Sequence, residues 1–368
     1  MKIAHVIGSF GIGGGERVAL DLASGQQRDG VEVVTISLEE PADGPLATEY
    51  AARGIDIVRV HKRPGGVDPT LWPRLSTVFK RGGIDIVHTH NPPPLIYGAP
   101  ASFFARAGCV HTKHGANAMP SRRRLLVRAA SRFCDAYVAV SQTTAAEAAR
   151  DRDVAPKKLM TIENGIDLSR FAPSAEARSE ARRSLGLSAE AFIVGTVGRL
   201  VREKNQAALV QAMAPLLGPK VRLLIVGDGE ERAAVERAVA GLGDKSQYVW
   251  LLGARNDTPR IYAALDVFAL SSDSEGLPLV VIEAMASGLP VVSTAVGGIR
   301  AVVVEGVTGA LVPAGDVNAL SARLAQLAAS PMLGVRWGTE GRRRALSRYS
   351  AERMVNDYFA VYERIRRS

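Results

Sequence analysis

The sequence predicts an α/β protein of two domains, each built around a parallel β-sheet with helices on both faces. Short apolar segments alternate with longer helical segments, rich in Ala and Arg, along the whole chain. This alternation runs once through the first half of the chain and again through the second half. The 368 residues exceed what one ordinary hydrophobic core supports and suit two domains of roughly 100–200 residues each. We therefore expect two Rossmann-like, doubly wound sheets.

The strands are predicted from apolar segments bounded by Gly, Pro or polar residues. In the first half they are residues 3–7, 31–37, 56–60, 84–88, 110–112, 136–140 and 159–162. In the second half they are residues 192–197, 221–226, 248–251, 267–270, 290–293 and 309–312. A polar segment separates the halves. We predict a first domain at residues 1–170, a linker at 171–190 and a second domain at 191–345. A helix at 351–366 is expected to pack back on the first domain. We expect a ligand-binding cleft between the domains, at the carboxyl ends of the strands.

Composition excludes several classes of protein. Hydrophobic residues make up 47% and charged residues 23% of the chain, which is typical of globular proteins. Cys109 and Cys134 are the only cysteines, too few for a disulfide framework or a zinc cluster, and they fit a reducing cytoplasm. The N-terminus lacks the pattern of a signal peptide, and no apolar run reaches ~20 residues. We expect a cytoplasmic protein without a membrane-spanning helix.

The net charge of +9 is concentrated in two arginine clusters. One lies on a predicted helix of the first domain, and the other lies near the C-terminus. The first consists of Arg122, Arg123, Arg124, Arg128 and Arg132. A solvated helix face is one interpretation, and a surface for a membrane, a nucleic acid or a phosphorylated substrate is the other. Because aromatic residues make up only 5% of the chain and no recognition motif accompanies the charge, nucleic acid is the weaker candidate.

Residues 271–288 predict an anion-binding helix start flanked by two acids. An apolar strand leads into a polar loop, and Pro278 and Gly288 are start and stop signals for a helix of about three turns. Glu275 precedes this helix and Glu283 lies inside it. The free N–H groups and the dipole of a helix start attract anions. This pattern suits a ligand whose phosphates bind the helix start and whose hydroxyls bind the carboxylates.

A glycine-rich segment after the first strand points to a second ligand-binding loop. It reads Gly11-Ile12-Gly13-Gly14-Gly15-Glu16 and opens a helix. It is neither the dinucleotide fingerprint, because Glu16 replaces the third Gly, nor a Walker A loop. Four glycines allow a bulky ligand or another backbone to approach, whereas an ordinary flexible turn is the alternative.

Three of the six histidines lie at predicted strand ends of the first domain. His88-Thr89-His90 ends one strand, and His114, followed by Gly115, comes after the next. Hydrogen bonding to a polar substrate is the preferred role for His114, and His88 and His90 brace the loop or contribute to the site. A metal site lacks supporting carboxylates or cysteines nearby.

Charged residues follow the strands of the second domain at nearly every step. The guanidinium of Arg199 and the ammonium of Lys204 are suited to binding the oxygens of a diphosphate. A surface ion pair with Glu203 is the ordinary alternative for either residue. The glycines at 227 and 229 leave room at the strand ends, and Arg255 is a candidate for the edge of a nucleobase.

With these motifs assembled, the chain resembles the retaining glycosyltransferases of family 4 (glycosyl transferases group 1), which have the GT-B fold. The resemblance covers essentially the whole chain. The most specific motifs are Gly198-Arg199 with Lys204, Gly227-Asp228-Gly229, and Glu275-Gly276-Leu277-Pro278 through Glu283. Weaker signals in the expected order are Gly13-Gly14-Gly15-Glu16, His114 and Asn164-Gly165-Ile166-Asp167.

The resemblance implies a role for each matching residue of the second domain. Arg199 and Lys204 resemble the pair that neutralises the donor diphosphate and stabilises the leaving group. Glu275 resembles the acid that contacts the donor sugar, and Glu283 resembles the acid that holds the ribose hydroxyls. The remaining predicted donor-binding residues are Gly227, Gly229, Arg255, Gly276, Leu279 and Val280.

In the first domain the resemblance implies that His114 lies near the reacting sugar. It also implies that Gly14 and Gly15 make space for donor and acceptor. The expected reaction retains the anomeric configuration by front-face displacement and requires no metal or other cofactor, because positive side chains and the helix dipole stabilise the leaving diphosphate.

The substrates remain open at this stage. UDP-glucose, UDP-N-acetyl sugars and GDP-mannose all fit the donor motifs. A glycan or lipid-linked glycan acceptor in cell-surface or exported polysaccharide synthesis is the first interpretation, and a soluble small acceptor or a non-catalytic nucleotide-sugar-binding subunit is the alternative. An epimerase or a phosphorylase fits the motif order less well. Leu125, Leu126 and Val127 interleave with the first arginine cluster, which predicts peripheral contact with an anionic membrane through Arg122, Arg123, Arg124 and Arg128.

Overall fold

The computed structural model describes residues 1–11, 13–38, 44–115 and 119–367. They divide into two compact units. The first unit consists of Met1–Ile166 together with Ala351–Ser368, and the second is Asp167–Ser350.

The described strands and α-helices alternate along the chain. The strands are β1 (Lys2–Ile7), β2 (Glu32–Ser37), β3 (Asp56–Arg59), β4 (Ile86–His90), β5 (Gly108–Lys113), β6 (Ala136–Ala139), β7 (Leu159–Thr161), β8 (Phe192–Val197), β9 (Val221–Val226), β10 (Val249–Leu251), β11 (Val267–Leu270), β12 (Val291–Thr294) and β13 (Gly309–Val312). The helices are α1 (Gly14–Arg28), α2 (Pro45–Ala52), α3 (Leu71–Gly82), α4 (Pro92–Ala105), α5 (Ser121–Ser131), α6 (Gln142–Arg150), α7 (Ala175–Ser184), α8 (Gln206–Met213), α9 (Arg232–Ala240), α10 (Thr258–Ala264), α11 (Leu279–Ala286), α12 (Ile299–Val302), α13 (Val317–Ala329), α14 (Pro331–Arg348) and α15 (Ala351–Arg367).

The first unit is built on a parallel sheet of seven strands in the order β3-β2-β1-β4-β5-β6-β7. Its central strands are buried on both faces, as helices on both sides of a parallel sheet require. The strand order reverses between β1 and β4, and in such sheets ligands bind beyond the carboxyl ends at this point. The glycine-rich loop follows β1 and therefore lies at this edge.

Strand β4 begins and ends two residues later than the sequence predicts, at 86–90 instead of 84–88. His88 and His90 consequently lie within the strand and are 0% and 2% exposed. The predicted bounds are therefore wrong by two residues at each end, and His90 lies within the strand instead of just beyond it. Both imidazoles can be buried because each is hydrogen-bonded on both ring nitrogens.

The second unit is built on six parallel strands in the order β10-β9-β8-β11-β12-β13. This is the doubly wound order with its reversal between β8 and β11. Its core combines strand residues such as Val194 and Val292 with Leu324 of α13, all fully buried. Both units therefore have the predicted class of fold, a doubly wound parallel sheet covered by helices.

Residues 171–190, expected to be a linker, contain helix α7 and belong to the second unit. Arg178 and Arg182 of this helix form ion pairs with Asp266 at 2.5 and 2.6 Å. These ion pairs attach the segment firmly to the sheet, because Asp266 also accepts the N–H of Ile193 at the start of β8.

Helix α15 follows the second unit in the chain but belongs to the first. It packs on α1 and β5 through an apolar face at helical spacing. The buried residues of this face include Met354, Tyr358, Val361 and Tyr362. Among the described residues, no helix is both long enough and apolar enough to cross a membrane.

Candidate functional site

A lysine–glutamate pair lies at the carboxyl edge of the second sheet, where the strand order reverses. Lys204 ends a single 3₁₀ turn, Arg202–Lys204, that follows β8. Its Nζ lies 2.5 Å from Oε1 of Glu275, which stands in the loop between β11 and α11. The pair joins the two loops that flank the reversal point.

The carboxylate of Glu275 is held by a second donor. Ser272 Oγ donates to the same Oε1 at 2.7 Å, while Thr294 of β12 donates to the Ser272 carbonyl at 2.6 Å. Oε2 of Glu275 makes no hydrogen bond to a described residue. With 9% of the residue exposed, Glu275 presents one free acceptor oxygen in a fixed orientation. The alternative of a surface pair between Lys204 and Glu203 is not found among the described residues, and Lys204 pairs with Glu275 instead.

Glycines in this region make space for neighbouring backbone. A Cβ at Gly227 would stand 1.8 Å from the carbonyl oxygen of Gly198, and one at Gly229 would stand 2.3 Å from that of Leu200. A Cβ at Gly297, which has φ +49°, would stand 1.7 Å from the Glu275 carbonyl oxygen. Our interpretation that Gly227 and Gly229 leave room at the strand ends is therefore incomplete, because that room is filled by the loop after β8. The glycines hold the Lys204 and Glu275 loops in position.

Helix α11 begins at Leu279 after Pro278, as the sequence predicts. Leu279 is buried and Val280 is half-buried. Gly276, in the preceding loop, accepts the N–H of Gly298 at 2.9 Å. The first four N–H groups of an α-helix have no acceptor within the helix, so the start of α11 can bind an anion.

Glu283 lies one turn into α11 and is held by a buried tyrosine. The Tyr262 hydroxyl donates to Oε2 of Glu283 at 2.7 Å. Burial, followed by the charge of Glu283, raises the pKa of Tyr262 well above its usual range, so the hydroxyl remains a donor. This bond fixes the side chain that we expect to hold the ribose.

The two candidate arginines of this unit differ in their surroundings. Arg199 is exposed and its guanidinium makes no hydrogen bond or ion pair with a described residue, which leaves it available for an anion. Arg255 donates through two nitrogens to both oxygens of Asp257, at 2.8 and 2.6 Å, and this bonding raises the pKa of Arg255. The structure brings Lys204 and Glu275 into contact, whereas Arg199 and Arg255 have no such bond to either.

In the first unit, Gly13 caps α1, and Gly14 and Gly15 form its first turn. A Cβ at Gly14 would meet nothing within 4 Å, whereas one at Gly15 would stand 3.1 Å from ring carbons of His114. Gly15 therefore lets the His114 ring lie against α1, while Gly14 leaves open space. Ile12, within the predicted loop, lies outside the described residues.

His114 ends a row of three hydrogen-bonded imidazoles. Its Nε2 lies 2.9 Å from Nδ1 of His90, and Nε2 of His90 lies 3.0 Å from Nδ1 of His5. Nε2 of His5 lies 2.8 Å from Oε1 of Gln26 on α1. Burial lowers the pKa of His5 to about 4 and that of His114 to about 3, so these rings are neutral at pH 7.

The histidine cluster has the composition of a metal site but not its free nitrogens. One nitrogen each of His5, His88 and His90 lie within 4.8 Å of one another. All six of their ring nitrogens already have hydrogen-bond partners, namely His114, Gln26, Tyr362, Thr112 and one another. A metal would have to displace these bonds, and no carboxylate belongs to the group. The expectation that no metal is required stays a prediction.

Sequence reasoning missed four residues that hold the candidate side chains: His5, Gln26, Tyr262 and Ser272. His5 carried a detectable signal, since an imidazole in the middle of an apolar strand must find a partner. Ser272 lies three residues before Glu275, at a spacing that permits a local hydrogen bond. Nothing in the sequence pairs Tyr262 with Glu283, because they come from different helices.

The arrangement in the second unit can bind a dianion next to a hydroxyl-bearing group. An ammonium, an unpaired guanidinium and a helix start provide positive potential, and two oriented carboxylates accept hydrogen bonds from hydroxyls. Nucleoside diphosphate sugars have this combination of groups.

Comparisons with known proteins agree with this chemistry over both units. Residues 12–170 match the family model described as Glycosyltransferase Family 4, and residues 177–344 match the one described as Glycosyl transferases group 1. The crystal structure of Anabaena Alr3699/HepE in complex with UDP has a TM-score of 0.88 and 25% identity, with 99% of this chain and 100% of that chain covered.

Curated relatives extend over nearly the whole length. The UDP-Gal:alpha-D-GlcNAc-diphosphoundecaprenol alpha-1,3-galactosyltransferase of Escherichia coli is 30% identical over 364 residues, covering 91% of this chain and 90% of that protein. The GDP-mannose-dependent alpha-(1-6)-phosphatidylinositol monomannoside mannosyltransferase of Mycolicibacterium smegmatis is 30% identical over 318 residues, covering 82% of each. The chain belongs to the group 1 glycosyltransferases and has the GT-B fold.

Proposed function

We propose that this glycosyltransferase moves a hexose-type sugar from a nucleoside diphosphate sugar to a hydroxyl of a glycan or lipid-linked glycan, with retention of the anomeric configuration. The observation that carries the proposal is the Lys204–Glu275 pair next to the start of α11. It combines one cation for the leaving diphosphate with one oriented carboxylate for the sugar.

Donor binding follows from the chemistry of the second unit. The phosphates bind Arg199, Lys204 and the N–H groups of Leu279 and Val280, because all of these groups are positive or partly positive. Glu283, oriented by Tyr262, accepts hydrogen bonds from the ribose hydroxyls.

The remaining donor-binding residues act mainly through their backbone. Gly227, Gly229 and Gly276 keep the loops close to the phosphates, and the segment at Arg255 borders the base. Since Asp257 already binds two nitrogens of the Arg255 guanidinium, we assign its contact with the base to the backbone.

Catalysis follows from where charge develops. When the bond between sugar and phosphate breaks, the diphosphate gains negative charge, and preorganised Arg199 and Lys204 stabilise it without a metal. Oε2 of Glu275 accepts a sugar hydroxyl, while Oε1 keeps Lys204 in position. In the first unit His114 contacts the transferred sugar, Gly14 leaves space beside it, and Gly15 lets the His114 ring lie against α1.

We further propose that the anomeric configuration is retained through front-face displacement. The acceptor hydroxyl attacks from the side of the leaving group, and the departing phosphate oxygen takes its proton. The test is the anomeric configuration of the glycoside product, read from its NMR coupling constants and compared with that of the donor. An inverted product would refute this mechanism.

A UDP-linked hexose is the preferred donor. The support comes from the UDP-Gal-dependent Escherichia coli relative and from Alr3699/HepE, which is also solved with UDP-glucose at a TM-score of 0.87. A GDP-linked donor is the alternative, supported by the mannosyltransferase relative. A thermal-shift panel of UDP, GDP and ADP with their hexose conjugates separates them, because only a ligand that binds the folded chain raises the melting temperature.

For the acceptor, we propose a lipid-linked glycan in cell-surface or exported polysaccharide synthesis. The Escherichia coli relative, whose acceptor is named as a GlcNAc-diphosphoundecaprenol, supports this assignment. A soluble small acceptor is the second candidate, because a D-inositol 3-phosphate glycosyltransferase of Salinispora tropica is 28% identical and covers 97% of this chain. Radiolabelled transfer to a lipid extract and to inositol 3-phosphate distinguishes the two.

We also propose a cytoplasmic enzyme that contacts the inner face of the plasma membrane through the first arginine cluster. Arg122, Arg123 and Arg132 are exposed. The other two arginines are engaged within the unit, because Arg124 forms an ion pair with Asp151 at 3.3 Å and Arg128 donates to the backbone carbonyl of that residue.

Apolar side chains next to this cluster support membrane contact. Phe103 and Phe104 at the end of α4 are 61% and 60% exposed, and Leu125 on α5 is 62% exposed. The Phe103 ring lies 5.7 Å from that of Phe104 and 5.4 Å from that of Phe133. Exposed apolar rings beside arginines suit an anionic lipid surface.

Flotation with vesicles of anionic lipid at low and high salt tests this contact. Each arginine near such a surface contributes ~1 kcal/mol, so the double variant Arg122→Ala/Arg123→Ala should bind ~30-fold more weakly. The matched control is Val335→Ser/Arg336→Ala, since both residues are exposed on α14 of the second unit. Wild-type protein that stays unbound at low salt would refute the proposal.

A further inference from the structure

The row of imidazoles in the first unit has a free end and an anchored end. His114 is the free end, because its Nδ1 is buried and has no hydrogen-bond partner among the described residues. Gln26 is the anchored end: its Oε1 faces His5 at 2.8 Å and its Nε2 donates to the Tyr362 hydroxyl at 3.2 Å. His5, His90 and Gln26 are at most 2% exposed, so water does not compete for these bonds.

The anchored end sets the direction of every bond in the row. A neutral imidazole carries one N–H and one bare nitrogen. Because Gln26 Oε1 only accepts, His5 carries its proton on Nε2, and its bare Nδ1 must accept from His90. The Nδ1 of His90 is then bare in turn and accepts the Nε2 proton of His114, 2.9 Å away.

Protonation of the row would destroy this order, but burial opposes it. The pKa of His5 is lowered to about 4, that of His114 to about 3, and that of His90 well below its usual value, in each case chiefly by burial. His5 and His114 are therefore mostly neutral between pH 5 and 9, where the enzyme would be assayed, and burial favours the neutral form of His90 as well.

We propose that Gln26, His5 and His90 are positioning residues that hold His114 in its Nε2-protonated form, so that the bare Nδ1 accepts a hydrogen bond from a hydroxyl of the transferred sugar. This inference rests on the proposed function for the identity of the ligand. It also explains why Nδ1 of His114 is an acceptor: the residues that set its tautomer lie in β1, β4 and α1, at least 24 positions away in the sequence.

Because Nδ1 of His114 is buried, the lack of a donor to it has a free-energy cost. A buried acceptor without a donor is unfavourable, and a donor hydroxyl satisfies it once the atoms covering Nδ1 give way. A His114 of the opposite tautomer would present an N–H there instead. It would still bond a hydroxyl oxygen, but it would reverse which partner supplies the proton and thereby change which sugar hydroxyls fit.

A second branch of the network keeps the Gln26 amide oriented. Tyr362 of α15 accepts the amide N–H of Gln26 and donates its own proton to Nδ1 of His88, 2.7 Å away. The Nε2–H of His88 then donates to Thr112 Oγ1 at 2.7 Å. Turning the amide over would require all of these bonds to reverse together.

The direct test is the tautomer of His114 in the full-length chain. Protein labelled with ¹⁵N-histidine gives separate nitrogen resonances for protonated and bare ring nitrogens, and His114→Asn assigns the signals. We expect Nε2-protonated His114 throughout pH 5–9 in the wild type. Gln26→Met should give a mixture of tautomers, whereas its neighbour Gln27→Met, which loses one bond to the Gly54 carbonyl, should not. An Nδ1-protonated wild type, or an unchanged Gln26→Met, overturns the inference.

Calorimetry with UDP and with UDP-glucose tests the ligand. UDP lacks the sugar, so Gln26→Met should weaken UDP-glucose binding by ~10-fold relative to UDP, while Gln27→Met keeps the wild-type ratio. An unchanged ratio in Gln26→Met overturns the role of Nδ1 in sugar binding. Failure of the wild type to bind either compound instead overturns the proposed UDP-linked donor, and the tautomer measurement still decides the hydrogen-bond order.

Discussion

Replacing Lys204 by methionine separates the structural contribution of the Lys204–Glu275 pair from its catalytic contribution. Methionine keeps an aliphatic side chain but removes the ammonium. Glu275 then remains charged, with its side chain only 7% exposed and the Ser272 hydroxyl as its remaining donor. Breaking a buried pair costs ~3–5 kcal/mol, and since a fifth of the Lys204 side chain is exposed, solvent screening should reduce the loss to ~2 kcal/mol.

The double variant Lys204→Met/Glu275→Gln should regain most of this stability. It leaves no unpaired charge, and the Gln side chain still accepts from Ser272, so we expect the loss to stay within ~1 kcal/mol. Urea unfolding followed by tryptophan fluorescence measures both, because Trp250 and Trp337 lie in the second unit and Trp72 lies in the first. Arg343→Met is the matched control: its side chain is 76% exposed in an ion pair with Glu340, and its loss should cost less than ~0.5 kcal/mol.

Turnover should behave differently from stability. Charge on the leaving diphosphate grows in the transition state, so removing Lys204 should lower kcat by ~10²–10³ in the single variant, and at least as far in the double variant, which also lacks the Glu275 carboxylate. Recovery of kcat together with stability in the double variant would refute the reasoning, because Lys204 would then serve only to neutralise Glu275. A loss confined to donor binding, with kcat unchanged, would equally contradict a role in the transition state.

Three further predictions follow from single contacts. Tyr262→Phe removes the bond to Glu283 and should weaken UDP binding ~3- to 10-fold in calorimetry with little change in kcat. Burial lowers the pKa of His5 from 6.5 to about 4, so the stability present above pH 6.5 is lost as pH falls toward 4, by ~2 kcal/mol at pH 5 from this residue alone, and the melting temperature should fall between pH 7 and 5. Gly15→Ala, with its methyl 3.1 Å from the His114 ring, should shift the ¹⁵N resonances of that ring.

Each of these has its own control. Tyr248→Phe, on a half-buried tyrosine of the second unit, should leave UDP binding unchanged. Gly14→Ala meets no atom within 4 Å and should leave the His114 resonances in place. A melting temperature that is the same at pH 7 and pH 5 would contradict the pH argument, and a Tyr262→Phe variant that loses kcat but not affinity would contradict the assignment of Glu283 to binding.

The class of fold and most strand positions could be predicted because apolar runs bounded by Gly, Pro or acids have few alternative structures. In the second unit, β8, β9, β11 and β13 have the predicted bounds. The predicted bounds of β4 were two residues too early, since the burial of His90 depends on His5 in β1 and on His114 after β5, which no local pattern indicates. The pattern of apolar residues along a strand indicates which side chains are buried. It does not indicate which distant residues form hydrogen bonds with the buried polar side chains.

The candidate site was predictable where its residues share one loop and less so where they meet across elements. Glu275 and the start of α11 follow from one continuous segment. The bond between Lys204 and Glu275 joins residues 71 positions apart. It depends on the tight approach of Gly227 to Gly198, which glycine content alone suggested only as open space. The number of arginines in the first arginine cluster that are free to contact an anion was overestimated for a related reason. Arg124 forms an ion pair with Asp151, and Arg128 donates to the backbone carbonyl of that residue.

The packing of helix α15 could be predicted from the sequence, but its hydrogen bonds could not. Its apolar periodicity was evident, and that face packs on α1 and β5, but its tyrosine hydroxyls have a second role that periodicity does not reveal. Tyr358 bonds Thr112 at 2.8 Å, and Tyr362 bonds both Gln26 and His88. Because the orientation of the Gln26 amide sets the tautomer of His114 through His5 and His90, the last helix of the chain takes part in defining a candidate sugar-binding side chain. The first unit therefore acquires its full hydrogen-bond order only after α15 has packed, and Tyr362→Phe should disorder the His114 tautomer while preserving the apolar contact with α1.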